Sequence, residues 1–178
     1  LKENVSYGWA HKIIEILVER NVVKKEEGYV RISDVNNILN GIAWERPLKN
    51  LQIEEIYLRF ENSHEAAQEI TRNLKGEDIL FAFNSYTAAG LYTGYAFRQD
   101  AVCLYLEKKQ VEGFREQFAS KEKSGIQAVL YAPDRDVFSD IRELESIIVT
   151  SPSQTLLDLA GLGYAAMDLT KVMAEKYA

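Results

Sequence analysis

The sequence is poor in the residues that build metal sites and disulfide scaffolds: it has one cysteine and two histidines in 178 residues. Cys103 lies alone inside an apolar run. That fits a buried thiol in a reducing compartment and excludes a disulfide framework. His11 and His64 are far apart and no Cys-x-x-Cys pair exists, so no structural zinc is expected. Walker and G-x-G-x-x-G loops are also missing, and neither a metal nor a cofactor is implied. No apolar stretch nears the roughly 20 residues of a membrane span, and no signal-peptide pattern opens the chain. The expected location is cytoplasmic, with no membrane partner. Repeats and low-complexity segments are absent too.

Apolar residues make up 47% of the chain and aromatic residues 11%, enough for a packed core. The length allows one large or two small domains. The net charge of −6 argues against a general nucleic-acid coat protein. The acid is unevenly spread. Residues 1–46 hold seven Lys/Arg and seven Asp/Glu, whereas residues 47–178 hold fourteen against twenty.

The first thirty-odd residues organise the rest. Val5-Ser6-Tyr7-Gly8-Trp9 leads into a helix that runs to Arg20, with Ser6 as its N-cap. At 100° per residue, Ala10, Ile13, Ile14, Leu17 and Val18 share one arc, the stripe that a helix buries. Gly8, Lys12, Glu15 and Glu19 lie opposite, with Trp9 and His11 on the flank. Val22-Val23 and Tyr29-Val30-Arg31-Ile32 have strand composition around the turn signal Glu27-Gly28. The pattern predicts the recognition helix and wing of a partial winged helix-turn-helix, a unit whose second helix presents its N-terminal residues to base edges. The expected DNA contacts are Ser6, Tyr7, Gly8, Trp9, His11 and Lys12 on the helix, and Lys24, Lys25 and Arg31 on the wing. Glu15 and Glu19 would repel phosphates, confining contact to the first two turns. Gly8 has two explanations, close backbone approach to DNA or to another helix. An ordinary helix-hairpin with solvated charges is the plain alternative. The chain opens on Leu1-Lys2-Glu3-Asn4, without Met and without the two helices that normally precede a recognition helix. It therefore reads as a fragment or processed product of a longer protein, with an incomplete DNA-binding unit.

Ser33-Asp34-Val35 starts a linker helix ending near Trp44, before Pro47. Residues 51–60 form a strand whose alternation slips at Glu54-Glu55, which predicts a bulge there. Ser63 caps a helix through Leu74, and Lys75-Gly76 stops it. A strand at 79–83, a short helix capped by Ser85 and closed by Gly94, and a strand at 101–106 follow. Then come a helix at 108–118, a strand at 126–132, a polar loop with one helical turn at 134–145 and a strand at 147–149. Ser151-Pro152 opens a helix by the rule of Ser at N-cap and Pro at N1, and residues 165–177 close the chain helically. The fold class is therefore α/β (α+β): residues 1–46 as the winged-helix unit and linker helix, residues 47–178 as a mixed-sheet α/β domain.

Catalytic sets are thin. Ser6 or Ser85 with His64 is a chance pairing. Asn84-Ser85 after a buried strand, then Arg98-Gln99-Asp100 entering the next, resembles the layout of nucleotidyltransferases. Those enzymes need Asp-x-Asp, because shared carboxylates hold two metal ions, and here the second position is Val102. The domain is then a degenerate nucleotidyltransferase-like fold, and the chain is not expected to be an enzyme. Asp134, Asp136, Asp140 and Glu145 form an acidic cluster without EF-hand spacing, read as a solvated loop. Tyr86, Tyr92, Tyr95 and Phe97 are read first as core packing, with a small-molecule pocket or an interface as the alternative.

Three stretches together resemble the AbiEi-like transcriptional regulators, the antitoxins of type IV toxin–antitoxin systems. They are Val5–Trp9 with the wing and Ser33–Leu39, residues 79–106, and Ile148-Val149-Thr150-Ser151-Pro152-Ser153-Gln154-Thr155-Leu156-Leu157-Asp158-Leu159. The last is similar to the family's V-x-S-P-x-Q-x-x-L-D-L. The resemblance implies a repressor of its own operon that binds operator DNA and counteracts a nucleotidyltransferase-type toxin, without requiring a stable complex with it. Two other readings stay beside it: a nucleotidyltransferase-like enzyme or pseudoenzyme, and an interaction module whose helix-hairpin serves dimerisation. A homo-oligomer is compatible with all three.

Overall fold

The computed structural model describes residues 6–95 and 98–177. Leu1-Lys2-Glu3-Asn4, Val5 before the opening helix and Phe97 of the aromatic group lie outside the described residues. Helix α1 (Tyr7–Glu19) begins where Ser6 takes an extended backbone and its Oγ accepts a hydrogen bond from the Trp9 amide at 3.2 Å. The cap satisfies one of the free N–H groups of the first turn. Strands β1 (Val23–Glu26) and β2 (Tyr29–Ile32) pair antiparallel across Glu27-Gly28. Gly28 has φ +82°, a conformation that side chains with a Cβ resist. Helix α2 (Val35–Glu45) is capped by Asp34, whose carboxylate accepts from the Asn37 amide at 2.9 Å.

A 3₁₀ turn, Leu48–Leu51, leads into a mixed six-stranded sheet. Its strands are β3 (Gln52–Tyr57), β4 (Phe81–Phe83), β5 (Ala101–Leu106), β6 (Gln127–Tyr131), β7 (Arg142–Leu144) and β8 (Ile147–Val149). They lie in the order β3-β6-β5-β4-β8-β7. The β5/β6 and β4/β8 pairs are parallel, the other three antiparallel. The helices are α3 (Ser63–Gly76), α4 (Ser85–Thr93), α5 (Val111–Phe118), α6 (Pro152–Gly161) and α7 (Met167–Tyr177).

Strand β5 shows why the sheet is central. All six of its residues are buried, so both of its faces are covered. Val102, Leu104 and Leu106 join the core that holds Ile70 and Leu74 of α3 and Phe114 and Phe118 of α5. Ala101, Cys103 and Tyr105 point the other way, toward Leu48, Tyr131 and Val137. The second face is covered by connecting segments that carry Leu48, Val137 and Phe138 together with Tyr86 of α4 and Asp158 of α6.

Several boundaries differ from expectation, each for a local reason. The bulge in β3 falls between Gln52 and Glu54, one position earlier than the alternation suggested. The cap of α3 is Asn62, whose Oδ1 accepts from the amides of His64 (2.8 Å) and Glu65 (3.0 Å). Ser63 is already helical and donates instead to the Arg98 carbonyl at 2.9 Å. Strand β4 starts at Phe81, because the Ile79 amide is used to close α3 on the Leu74 carbonyl. Ser85 is the first residue of α4, not its cap. Strand β7 was expected to be loop. It pairs with β8 across Glu145-Ser146, both at positive φ, and it escapes a hydrophobicity pattern because Arg142 and Glu143 are solvent-facing on an edge strand. No helix among the described residues is long and apolar enough to cross a membrane.

Helix α2 packs on α6 at one point of very close approach. A Cβ at Gly161 would lie 2.7 Å from the Arg46 carbonyl oxygen and 3.0 Å from the Leu48 amide nitrogen. Both neighbours are backbone and cannot swing away. Gly161→Ala is therefore expected to destabilise the protein by about 1–3 kcal/mol, read as a lowered midpoint of urea unfolding. Gly76→Ala, in open space, serves as the control.

Candidate nucleic-acid interface and the Arg46 junction

The nine residues expected to meet DNA are all at the surface, but they do not form one basic face. Tyr7, Gly8, Trp9, His11 and Lys12 are exposed along the first turns of α1, and Ser6 is engaged as its cap. No heavy atom comes within 4 Å of a Cβ built on Gly8. Close packing on another helix therefore does not explain that glycine among the described residues. The Tyr7 and His11 rings lie tilted to one another at 50°, ring centres 6.4 Å apart.

Glu15 draws part of this set inward. Lys25 donates to its carboxylate and His11 Nε2 lies 3.9 Å from the same oxygen. The Lys25 hydrogen bond and charge hold the Glu15 carboxyl below its ordinary range. Lys24 and Arg31 are cross-strand partners and so share the hairpin face opposite Lys25. Arg31 sits 3.4 Å from Glu26 on that face. Among the described residues, Lys12 and Lys24 have no acidic partner within 4 Å. The apolar arc of α1 is half-covered: none of its residues is buried, and Val30 and Ile32 of β2 stand exposed.

The most elaborate polar cluster lies elsewhere, at the end of α2, and the sequence did not single it out. The Arg46 side chain is nearly buried. Its Nε and Nη2 donate to the two oxygens of Asp134 at 2.9 and 2.8 Å, its Nη1 to Asp158 Oδ1 at 3.0 Å, and its Nη2 to the Tyr105 hydroxyl at 2.9 Å. Tyr105 donates to Asp158 Oδ1 at 2.6 Å and Gln154 Nε2 donates to it at 2.8 Å. Gln154 and Asp158 stand four residues apart on α6, hence on one face. They are the Gln and Asp of the Ser151–Leu159 stretch, whose Ser151 caps the helix and whose Pro152 opens it. That stretch is thus the receptor for Arg46. The available signal was Asp158 among the inward residues of α6, where a buried carboxylate needs donors or a cation.

Oδ1 of Asp158 takes three donors, while Oδ2 is buried with no partner among the described residues. Burial therefore outweighs the donors and pushes the carboxyl up to about 6. Asp134 is the opposite case. The Arg46 fork holds it down to about 2.

The remaining candidates have structural roles. Asn84 and Ser85 are wholly buried at the β4–α4 turn, Ser85 at φ +41°, with its hydroxyl 3.3 Å from Asn84 Oδ1. Strand β4 runs antiparallel to β5 across this turn, and Val102 is buried in the core where a second metal-binding acid would be needed. Asp100, just before β5, is exposed and paired with Arg98. Burial pushes the Cys103 thiol up to about 11, so it is no nucleophile at neutral pH. Asp134, Asp136, Asp140 and Glu145 do not converge: Asp136 accepts from the Phe138 amide, and Glu145 lies 3.4 Å from His64. No group of three or more His, Cys, Asp or Glu among the described residues is placed to hold a metal ion. Tyr92 is a core residue, its hydroxyl donating to the Thr150 carbonyl at 2.7 Å. Tyr86 and Tyr95 border a shallow hollow of about 390 Å³.

Replacing Arg46 by Met leaves Asp158 buried beside no cation, and a cost of about 3–5 kcal/mol is expected in denaturant unfolding. The two aspartates give stability opposite slopes with pH. A carboxyl raised from the ordinary 3.8 to about 6 in the folded state takes up a proton that the unfolded chain does not. Its contribution to stability therefore rises as pH falls from about 6 to about 4. A carboxyl lowered to about 2 contributes stability above about pH 4, lost as pH falls toward 2. Asp158→Asn should flatten the first window alone and Asp134→Asn the second, as measured by unfolding midpoints across pH 2–8.

Comparison of the chain with protein-family models, with curated proteins and with solved structures gives no match.

Proposed function

We propose that the protein is a DNA-binding transcriptional regulator that acts as an antitoxin, represses its own toxin–antitoxin operon and counteracts a nucleotidyltransferase-type toxin in the cytoplasm. The observation that carries the DNA-binding part is the capped start of α1, where Tyr7, Gly8, Trp9 and Lys12 are exposed among the described residues beside a two-stranded hairpin. A helix of this kind offers its first two turns to a major groove. The antitoxin role rests on the resemblance of Ser151–Leu159 and its companion stretches to AbiEi-like regulators. Residues 1–46 carry no net charge. Affinity is then drawn from few phosphate contacts and from aromatic contact, and nonspecific affinity is modest and salt-sensitive.

The second domain is read as non-catalytic. The β4–α4–β5 layout with Asn84-Ser85 at the turn favours a degenerate nucleotidyltransferase-like fold, in which Val102 replaces the acid that a second metal ion requires.

Titration of labelled operator DNA by fluorescence anisotropy tests the proposal. Lys12→Ala is expected to weaken binding and to reduce the salt slope by about one, while Lys108→Ala, outside the helix-hairpin, leaves both unchanged. Equal binding by wild type and Lys12→Ala at every salt concentration would refute the assignment of α1 as the recognition element. Nucleotide incorporation with Mg²⁺ or Mn²⁺ that disappears in Asp100→Ala would instead establish an enzyme.

A further inference from the structure

A groove of about 600 Å³ separates α2 from the C-terminal helices. One wall is a single stripe of α2 carrying Asn36, Asn40 and Trp44. The other, from the 3₁₀ turn Gly163–Ala166 into α7, carries Tyr164, Met167 and Lys171. Each wall is about two helical turns, roughly 12 Å, in length. We propose that this groove binds a small planar aromatic carboxylate.

Three observations converge on that chemistry. First, Trp44 and Tyr164 are 87% and 88% exposed, the two most exposed large hydrophobic side chains among the described residues, and both border the same groove. Leaving both rings in water forgoes the burial free energy of two large apolar surfaces, and a flat ring laid on them recovers it. Second, Lys171 is the one charged residue of the lining, and no carboxylate among the described residues lies within 4 Å of it. Asp168 and Glu175 stand one turn to either side on α7 but outside the lining, so Lys171 is the charged group that meets an anion entering the groove. Third, the Asn36 and Asn40 carboxamides make no hydrogen bond to a described residue and provide donors on the wall facing Lys171. A concave, largely apolar volume of this size with a few unengaged polar groups is the usual form of a small-molecule site.

The placement gives the ligand a consequence. Helix α2 is the only segment joining the helix-hairpin to the sheet domain, so a ligand gripping α2 and α7 together restrains that connection. The proposal is independent of DNA binding and is tested without it.

The probe is 1-naphthoate, with neutral 1-naphthamide as its isostere. The chain has two tryptophans, so an amide–proton NMR spectrum shows two indole signals, assigned by Trp44→Phe. Naphthoate is expected to shift the Trp44 indole saturably with a Kd at or below about 1 mM, leaving that of Trp9 in place. Lys171→Met and the change from naphthoate to naphthamide should each weaken binding about tenfold, and Tyr164→Ala comparably. These side chains are exposed, and an unchanged unfolding midpoint verifies that the variants fold. An unmoved Trp44 signal at about 10 mM naphthoate, equal affinity for the two probes, or equal movement of Trp9 would overturn the proposal. A dimer seen by sedimentation that Trp44→Ala abolishes would overturn it in favour of self-association.

Discussion

The placement of one guanidinium governs the rest of the molecule. Arg46 ends α2 and carries its charge into a setting nearly closed to water, where an unpaired cation would be very costly. Two carboxylates and a phenol receive it. Asp134 comes from the segment after β6, Asp158 from α6 and Tyr105 from β5, so one side chain ties three separate parts of the sheet domain to α2. Gly161 permits the backbone beside Arg46 to come close enough for this geometry. The price of the arrangement is visible at Asp158, whose second oxygen has been stripped of water without receiving a donor.

The helix-hairpin is organised quite differently. Its charges neutralise one another locally, Lys25 on Glu15 and Arg31 on Glu26, and its apolar arc is only half-covered. Where a regulator of strong electrostatic footprint would show a basic stripe, this unit shows two lysines without an acidic partner among the described residues, and the exposed rings of Tyr7 and Trp9 near a capped helix start. In the proposed role, selectivity then rests on fit at the first turns of α1 more than on long-range attraction.

The sheet domain spends its polar residues on structure. Asn84, Ser85 and Thr87 are buried at a strand-to-helix turn, where Thr87 Oγ1 accepts from the Cys103 amide at 2.9 Å. Arg98 and Asp100 neutralise each other at the surface. In the strand that follows, Val102 is buried in the core and contributes packing rather than charge.

Local physics made much of this legible in advance. Ser6 and Ser151 act as helix caps where their positions before apolar periodicity foretold it, and Gly28 marks the hairpin because few other residues tolerate its φ. The apolar run of β5 announced a strand, and the structure covers both of its faces. Misreadings came where a residue's role depends on a distant partner. Asn62 rather than Ser63 caps α3 because Ser63 is drawn to Arg98, and β7 is visible only once β8 is beside it. The helix start at Ser151-Pro152 could be read from sequence, yet the purpose of the stretch that follows could not. Gln154 and Asp158 acquire meaning from Arg46, more than a hundred residues earlier, and a linear pattern carries no record of which buried charge will meet which. Sequence alone thus determined the elements, because caps, turns and periodicity act within a few residues. The tertiary structure alone decided the junction and the groove, because both arise from contacts between segments that are neighbours only after folding.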